Sequence, residues 1–212
     1  MTAALTLSVV ALSLQVSIGA EKHEEPVPSS LAPAIRGALA PGGVRAGVGN
    51  AQLDFWFVKT LPLKADGSTS WAAVEEGTLV GVVRLAAEFR DIRARLIKPG
   101  VYTLRFGLQP QNGDHLGVSP FREFLLLSPA AADTDLPARG HEGTIELSIK
   151  TAGGSHPAVW SIDPPTTSAA ALANHTTELG HKSFIVEVPV ARPGETPGTL
   201  RFGIVLIGRV EA

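Results

Sequence analysis

The hexapeptide Thr103-Leu104-Arg105-Phe106-Gly107-Leu108 recurs as Thr199-Leu200-Arg201-Phe202-Gly203-Ile204. A basic residue and a Pro-Gly pair stand ahead of each copy, at Lys98-Pro99-Gly100 and at Arg192-Pro193-Gly194. Within each copy apolar and polar residues alternate. A period of two places successive side chains on opposite faces of an extended chain, so the unit is a turn followed by a strand. The echo constrains architecture and carries no chemistry of its own.

The same alternation runs through most of the chain from Gly47 onward. Strands are expected at 52–60, 78–85, 92–97, 102–108, 121–127, 144–151, 158–162, 183–190 and 199–210, with Pro and Gly clusters between them. In the first copy of the repeat, Tyr102, Leu104, Phe106 and Leu108 form the apolar face, leaving Thr103 and Arg105 outside. Helix is invited only over 86–93 and 166–175. About nine or ten strands with long loops predict an all-β chain, an immunoglobulin-like or jelly-roll-like β-sandwich. Either the two copies mark two small sandwiches, or they are related strands of one. The second half holds four convincing strands, too few for an independent core of about seventy residues. A single domain over 45–212 is therefore expected.

Composition narrows the function. With 44% hydrophobic residues the chain can bury a core, and a net charge of −2 without a basic block disfavours a nucleic-acid partner. There is no cysteine, which removes disulfides, thiolate metal sites and a Cys nucleophile. Residues 1–20 are free of charge, with an apolar run from Leu5 to Ile18 and the first charge at Glu21. That length suits a signal-peptide core better than a membrane span. Residues 1–20 are thus read as a signal peptide cut near Ala20, with an uncleaved anchor as the alternative. The expected location is periplasmic or extracellular, with no membrane span after cleavage. Residues 21–44, rich in Pro, Ala and Gly, read as a linker or an arm reaching another envelope protein or a second copy of the chain.

The stretch Leu96-Ile97-Lys98-Pro99-Gly100-Val101-Tyr102-Thr103-Leu104 resembles the Pro-Gly-x-Tyr strand-turn-strand of secreted bacterial immunoglobulin-like and transthyretin-like modules. The resemblance implies a β-sandwich in which the Tyr buries its ring and bonds nearby backbone through its hydroxyl. It covers about nine residues and implies no particular function. Gly100 to Phe106 followed by His115 is similar, more faintly, to the copper loop of cupredoxins. The copper Cys is absent here and Met1 is the only Met, which excludes a blue-copper site.

Candidate site residues are few. The segment from Gln109 to Pro120 gathers Asn112, Asp114, His115 and Ser119 between two strands, as a ligand or metal loop would; Asn112-Gly113 also explains it as a turn. A metal site built from loops would draw on Asp114, His115, His141 and His181, though no HExxH spacing occurs. Trp71, in a polar stretch, is the aromatic expected to face solvent and to stack on a sugar, whereas Trp56 and Trp160 read as core. Neither a G-x-S-x-G elbow nor a Gly-rich phosphate loop is present, so catalysis is not expected. No resident cofactor is expected, a metal ion being the alternative. The expectation is an exported binding or structural module of the cell envelope, the alternatives being a periplasmic copper- or zinc-type protein and a carbohydrate-binding module.

Overall fold

A computed structural model describes residues 18–49, 51–65, 67–91, 94–111, 121–153, 155–164 and 170–208. The strands are β1 (Ile18–His23), β2 (Gly43–Val48), β3 (Ala51–Phe57), β4 (Leu61–Pro62), β5 (Leu79–Leu85), β6 (Phe89–Arg90), β7 (Leu96–Ile97), β8 (Gly100–Leu108), β9 (Glu123–Pro129), β10 (Ala158–Asp163), β11 (Asn174–Thr176), β12 (Lys182–Ala191) and β13 (Gly198–Ile207). Two helices, α1 (Pro33–Ala38) and α2 (Gly140–Ala152), accompany them. The chain is all-β, as its alternation predicts.

Eleven of the strands form one sheet, in the order β1-β2-β3-β5-β8-β9-β10-β13-β12-β11, with β4 beside β12; β6 and β7 make a separate ribbon. Every pairing in the large sheet is antiparallel except the short parallel contact of β4 with β12. The sheet curls until its halves face each other. Phe55 of β3 meets Trp160 of β10 at 5.3 Å and Phe184 of β12 at 5.6 Å, edge to face. Phe57 meets Phe202 of β13 at 6.2 Å. The two ends of the strand order also approach, since the Asn174 side-chain amide in β11 donates to the Ile18 carbonyl in β1 at 2.8 Å. The interior is thus filled with aromatic and aliphatic side chains from both halves.

The repeat occupies β8 and β13, which belong to one sheet with β9 and β10 between them. Leu104 and Phe106, like Leu200 and Phe202, point into the core. The two arginines differ. Arg201 sits partly exposed against Glu187, its cross-strand neighbour, at 3.0 Å. Arg105, expected outside with Thr103, is instead buried, as is Thr103. The segment 130–139 and α2 cover the outer face of β8 and β9. Under that cover Asp133 accepts from Arg105 Nε at 2.6 Å, from Arg105 Nη2 at 2.9 Å and from Thr103 Oγ1 at 2.5 Å. Arg105 Nη1 donates to the Gly77 and Pro137 carbonyls, and Nη2 also donates to the Asp135 carbonyl. A buried guanidinium is tolerated only when its donors are met like this.

The helix α2 overturns the strand expected at 144–151. Ile145, Leu147 and Ile149 alternate as in a strand, but the buried positions are Thr144, Leu147 and Ser148, which follow the three- and four-residue steps of a helix face. Ser148 Oγ both accepts from the Ala158 amide and donates to the Ala158 carbonyl, each at 3.0 Å. Thr151 Oγ1 donates to the Leu127 carbonyl at 2.8 Å. Hydroxyls rather than a broad apolar stripe seat this helix on the sheet, so the pattern of apolar residues misreports it.

The segment 21–44, expected as a linker or arm, folds against the chain's own sheet. All six residues of β1 pair with β2, and Leu31, Ile35 and Leu39 are buried. Between β1 and α1, Glu25 accepts from both Arg45 and Arg84, and its carbonyl receives the Trp56 indole N–H at 3.2 Å. Hydrogen bonds from Arg84 first, and then Arg45, hold the Glu25 carboxyl below its ordinary range. Burial pushes the Asp54 carboxyl up, but the hydrogen bonds from Arg45 and Arg84 outweigh it and the net shift is downward.

Two predictions follow from these contacts. Arg105→Ala leaves the buried Asp133 charge with only the looser ion pair to Arg139 Nε at 3.4 Å and costs about 3–5 kcal/mol, whereas Arg201→Ala breaks a surface pair and costs about 1 kcal/mol or less; urea unfolding of the two variants measures the contrast. Both depressed carboxyls, Glu25 and Asp54, contribute stability that is complete above roughly pH 5 and is lost as the pH falls through and below about 4. Thermal melts between those limits should show the loss, and Asp54→Asn should make the fall shallower.

Candidate functional site

Residues 112–120 lie outside the described part of the structure, so Asn112, Asp114, His115 and Ser119 receive no structural account. The other candidates are placed. Trp71, expected in solvent, is 6% exposed. It lies in a short 3-10 turn, Trp71–Ala73, stacked on Phe106 at 4.9 Å and edge-on to Phe202 at 4.9 Å. It closes the core between the two copies of the repeat and offers no face to a sugar. Trp160 is a core residue whose indole N–H donates to the Val205 carbonyl at 2.9 Å, and Trp56, on the face of β3 opposite Phe55 and Phe57, is buried too, edge-on to His23 at 5.0 Å. Tyr102 buries its ring and donates its hydroxyl to the Lys98 carbonyl at 2.9 Å, and burial raises its pKa.

The two placed histidines of the metal expectation serve different carboxylates. His141 Nδ1, in the first turn of α2, is 2.9 Å from Glu76 Oε1, which also accepts the Leu108 amide at 2.8 Å. His181 Nδ1 is 2.8 Å from Asp163 Oδ1, and both of these residues are buried. Among the described residues no three His, Cys, Asp or Glu side chains gather as a metal site would require.

His181 sits beside a row of buried polar side chains on adjoining strands. Asp163 and Ser161 lie two residues apart on the outer face of β10, roughly 7 Å along the strand. Asp163 pairs with Gly203 of β13, and on its other side β13 pairs with β12, which carries Ser183. Gly203 is the glycine of the second hexapeptide. A Cβ there would lie 2.8 Å from Ser183 Oγ and 3.2 Å from Asp163 Cβ. Its missing side chain therefore lets Asp163 and Ser183 approach each other over the strand between them.

This row is under-satisfied. Asp163 Oδ2, Ser161 Oγ and Ser183 Oγ are buried with no hydrogen-bond partner among the described residues. Orphaned buried oxygens are costly, on the order of 1–3 kcal/mol each, and native proteins keep few of them. Ser161 also lines a cavity of about 240 Å³, whose walls are mostly apolar, with Phe89, Val159, Trp160 and Val205, but include Arg90 and Asp91. An apolar recess beside a few unmatched polar atoms has the composition of a small-molecule site. The Asp163 carboxylate fixes the orientation of the His181 ring through Nδ1.

His181 was among the sequence candidates; Ser161, Asp163, Ser183 and Gly203 were not. Ser161 and Asp163 lie at i and i+2 of an ordinary alternating strand, which gives neither a chemical signal of its own. Only the crossing of β13 between β10 and β12 brings Asp163 and Ser183 together. Comparison of the chain with protein-family models, with curated proteins and with solved structures finds no match.

Gly203→Ala should force Ser183 and Asp163 apart and cost about 1–3 kcal/mol through overpacking. At the equivalent residue of the first copy, Gly107, the nearest atoms to a Cβ would be Leu126 methyl and methine carbons, at 3.0 and 3.2 Å. Chemical denaturation measures the cost, and the His181 imidazole signals in NMR should shift in Gly203→Ala and stay in place in Gly107→Ala.

Proposed function

We propose that this protein is an exported β-sandwich that serves as a binding or structural module of the cell envelope and catalyses no reaction. The charge-free N-terminal stretch ahead of β1 supports export, to the periplasm or beyond the cell, with any cut falling ahead of Ile18, since Ile18–Ala20 pair with β2. The filled interior supports recognition on the outside of the sheet, since aromatic side chains from both halves occupy the space that a barrel-type ligand would need.

The observation that carries the binding role is the row Ser161, Asp163 and Ser183 beside the cavity. A ligand with a hydrogen-bond donor would meet Ser161 Oγ, the unmatched oxygen of the row that lines the cavity, and its apolar part would enter between Phe89 and Val205. A second reading, a copper- or zinc-type metal protein, draws support from the carboxylate that orients His181, an arrangement common behind metal-binding histidines. The carbohydrate reading loses its residue with the burial of Trp71.

Thermal melting against a panel of small amines, alcohols, sugars and divalent metals tests the proposal. A ligand at a hundred times its Kd adds about 2.7 kcal/mol, or roughly 5–10 °C for a chain of this size. Ser161→Ala should abolish that rise. Turnover of a common glycoside, ester or peptide by the purified protein would sink the non-catalytic reading.

A further inference from the structure

A second group of charges lies on other strands, and its parts come from different kinds of structure. Arg45 of β2, Asp54 of β3 and Arg84 of β5 are consecutive rungs across three adjacent strands, Arg45 opposite Asp54 and Asp54 opposite Arg84. Asp54 is 1% exposed. Its Oδ1 accepts Arg45 Nε at 2.7 Å, and its Oδ2 accepts Arg84 Nε at 3.1 Å and Nη2 at 2.7 Å. Arg84 also lies over the Trp56 ring, 5.4 Å from its centroid. Two guanidiniums are thereby fixed relative to one another by a buried carboxylate and by the sheet itself.

The group facing them from the solvent side is Glu25. One of its oxygens accepts from Arg45 Nη2 and the other from Arg84 Nη2. Glu25 belongs to no strand. It lies between β1 and α1, followed by Pro26 and Pro28, which have no N–H to give a sheet ladder. Its side chain is 42% exposed. The two arginines and Asp54 sum to one positive charge; Glu25 bonds both guanidiniums and brings that sum to zero, and Glu21 of β1, opposite Arg45, adds a negative charge at the edge of the row. The strands build a cationic fork with a rigid floor, and a connecting segment supplies the carboxylate that fills it.

A guanidinium fork matches a carboxylate in shape as well as charge. An exposed ion pair is weak enough to exchange with a competing anion. We infer that Arg45 and Arg84, backed by Asp54, form a binding site for carboxylate groups, and that Glu25 occupies it in cis as an internal competitor. The site differs in sign and in place from the Asp163 row, so neither depends on the other. Its ligand is a carboxylate, either a free small acid or an acidic side chain of a protein segment.

The test follows the Arg45 and Arg84 Nε–Hε NMR signals of the full chain during titration with sodium acetate or with a hexaglutamate peptide, at ionic strength held constant with chloride. Movement with both probes, or with acetate alone, supports a site open to small acids. Movement with the peptide alone supports an acidic protein segment. Glu25→Gln removes the competitor and should bind the effective probe about tenfold more tightly or better, as expected when an occupied state no longer withholds the site. Absence of movement with either probe, in the parent chain and in Glu25→Gln, overturns the site. Equal affinity of parent and variant overturns the competition. If Glu25→Gln fails to fold, the parent titration decides.

Discussion

Everything else in this fold depends on how one sheet disposes of its apolar face. Among the described residues the eleven strands have only the two-stranded β6–β7 ribbon beside them, too small to cover their apolar face, so the sheet curls until β3 lies across from β12 and β13. The contact of Phe55 with Phe184, seven places apart in the strand order counting both, is that curl expressed in side chains. Burial on this scale supplies the main favourable term of folding. It also fixes where function can reside, because a packed interior leaves only the outer face and the connecting segments.

The outer face handles its polar groups in three ways. Arg105 and Asp133 are sealed beneath 130–139 and α2 with their hydrogen bonds met on all sides. Arg45, Asp54 and Arg84 form a row that is satisfied on its sheet side by neighbouring strands and on its solvent side by a borrowed carboxylate. The row at Ser161, Asp163 and Ser183 is covered and left with unmatched oxygens. The first arrangement is structural, because nothing in it is left for a partner. The other two have capacity to spare, one in exchangeable charge and the other in unmade hydrogen bonds.

The repeat was legible in the sequence as strand and turn, and its apolar face was legible residue by residue: Leu104, Phe106, Leu200 and Phe202 are core. The fate of its arginines was not. Alternation tells which residues share a face, and it is silent on whether a later segment covers that face. Arg105 and Arg201 occupy equivalent places in identical pentapeptides, and only the connection between β9 and β10, with α2 inside it, makes one of them buried. The same blindness explains α2, where Thr144, Ser148 and Thr151 do work that apolar residues usually do. It explains Trp71 as well, since polar neighbours at 66–70 indicated exposure while the ring closes the core on Phe106 and Phe202. Of the sites, His181 could be singled out by residue type, but its carboxylate could not, because Asp163 reaches it through strand order alone.

The glycine of the hexapeptide joins the architectural and functional readings. In the first copy, Gly107 leaves room for Leu126, an apolar neighbour on the next strand. In the second, Gly203 leaves room for Ser183 and Asp163. The requirement is the same in both places: the outer face of a curling sheet brings cross-strand neighbours too close for a Cβ. The consequence differs because the neighbours differ. A packing device that closes an apolar gap on one strand opens a polar one on its counterpart, and there the sheet gains a carboxylate with an unmatched oxygen. The chemistry of the second copy is therefore set by the strands on either side of it and owes nothing to the repeated letters themselves.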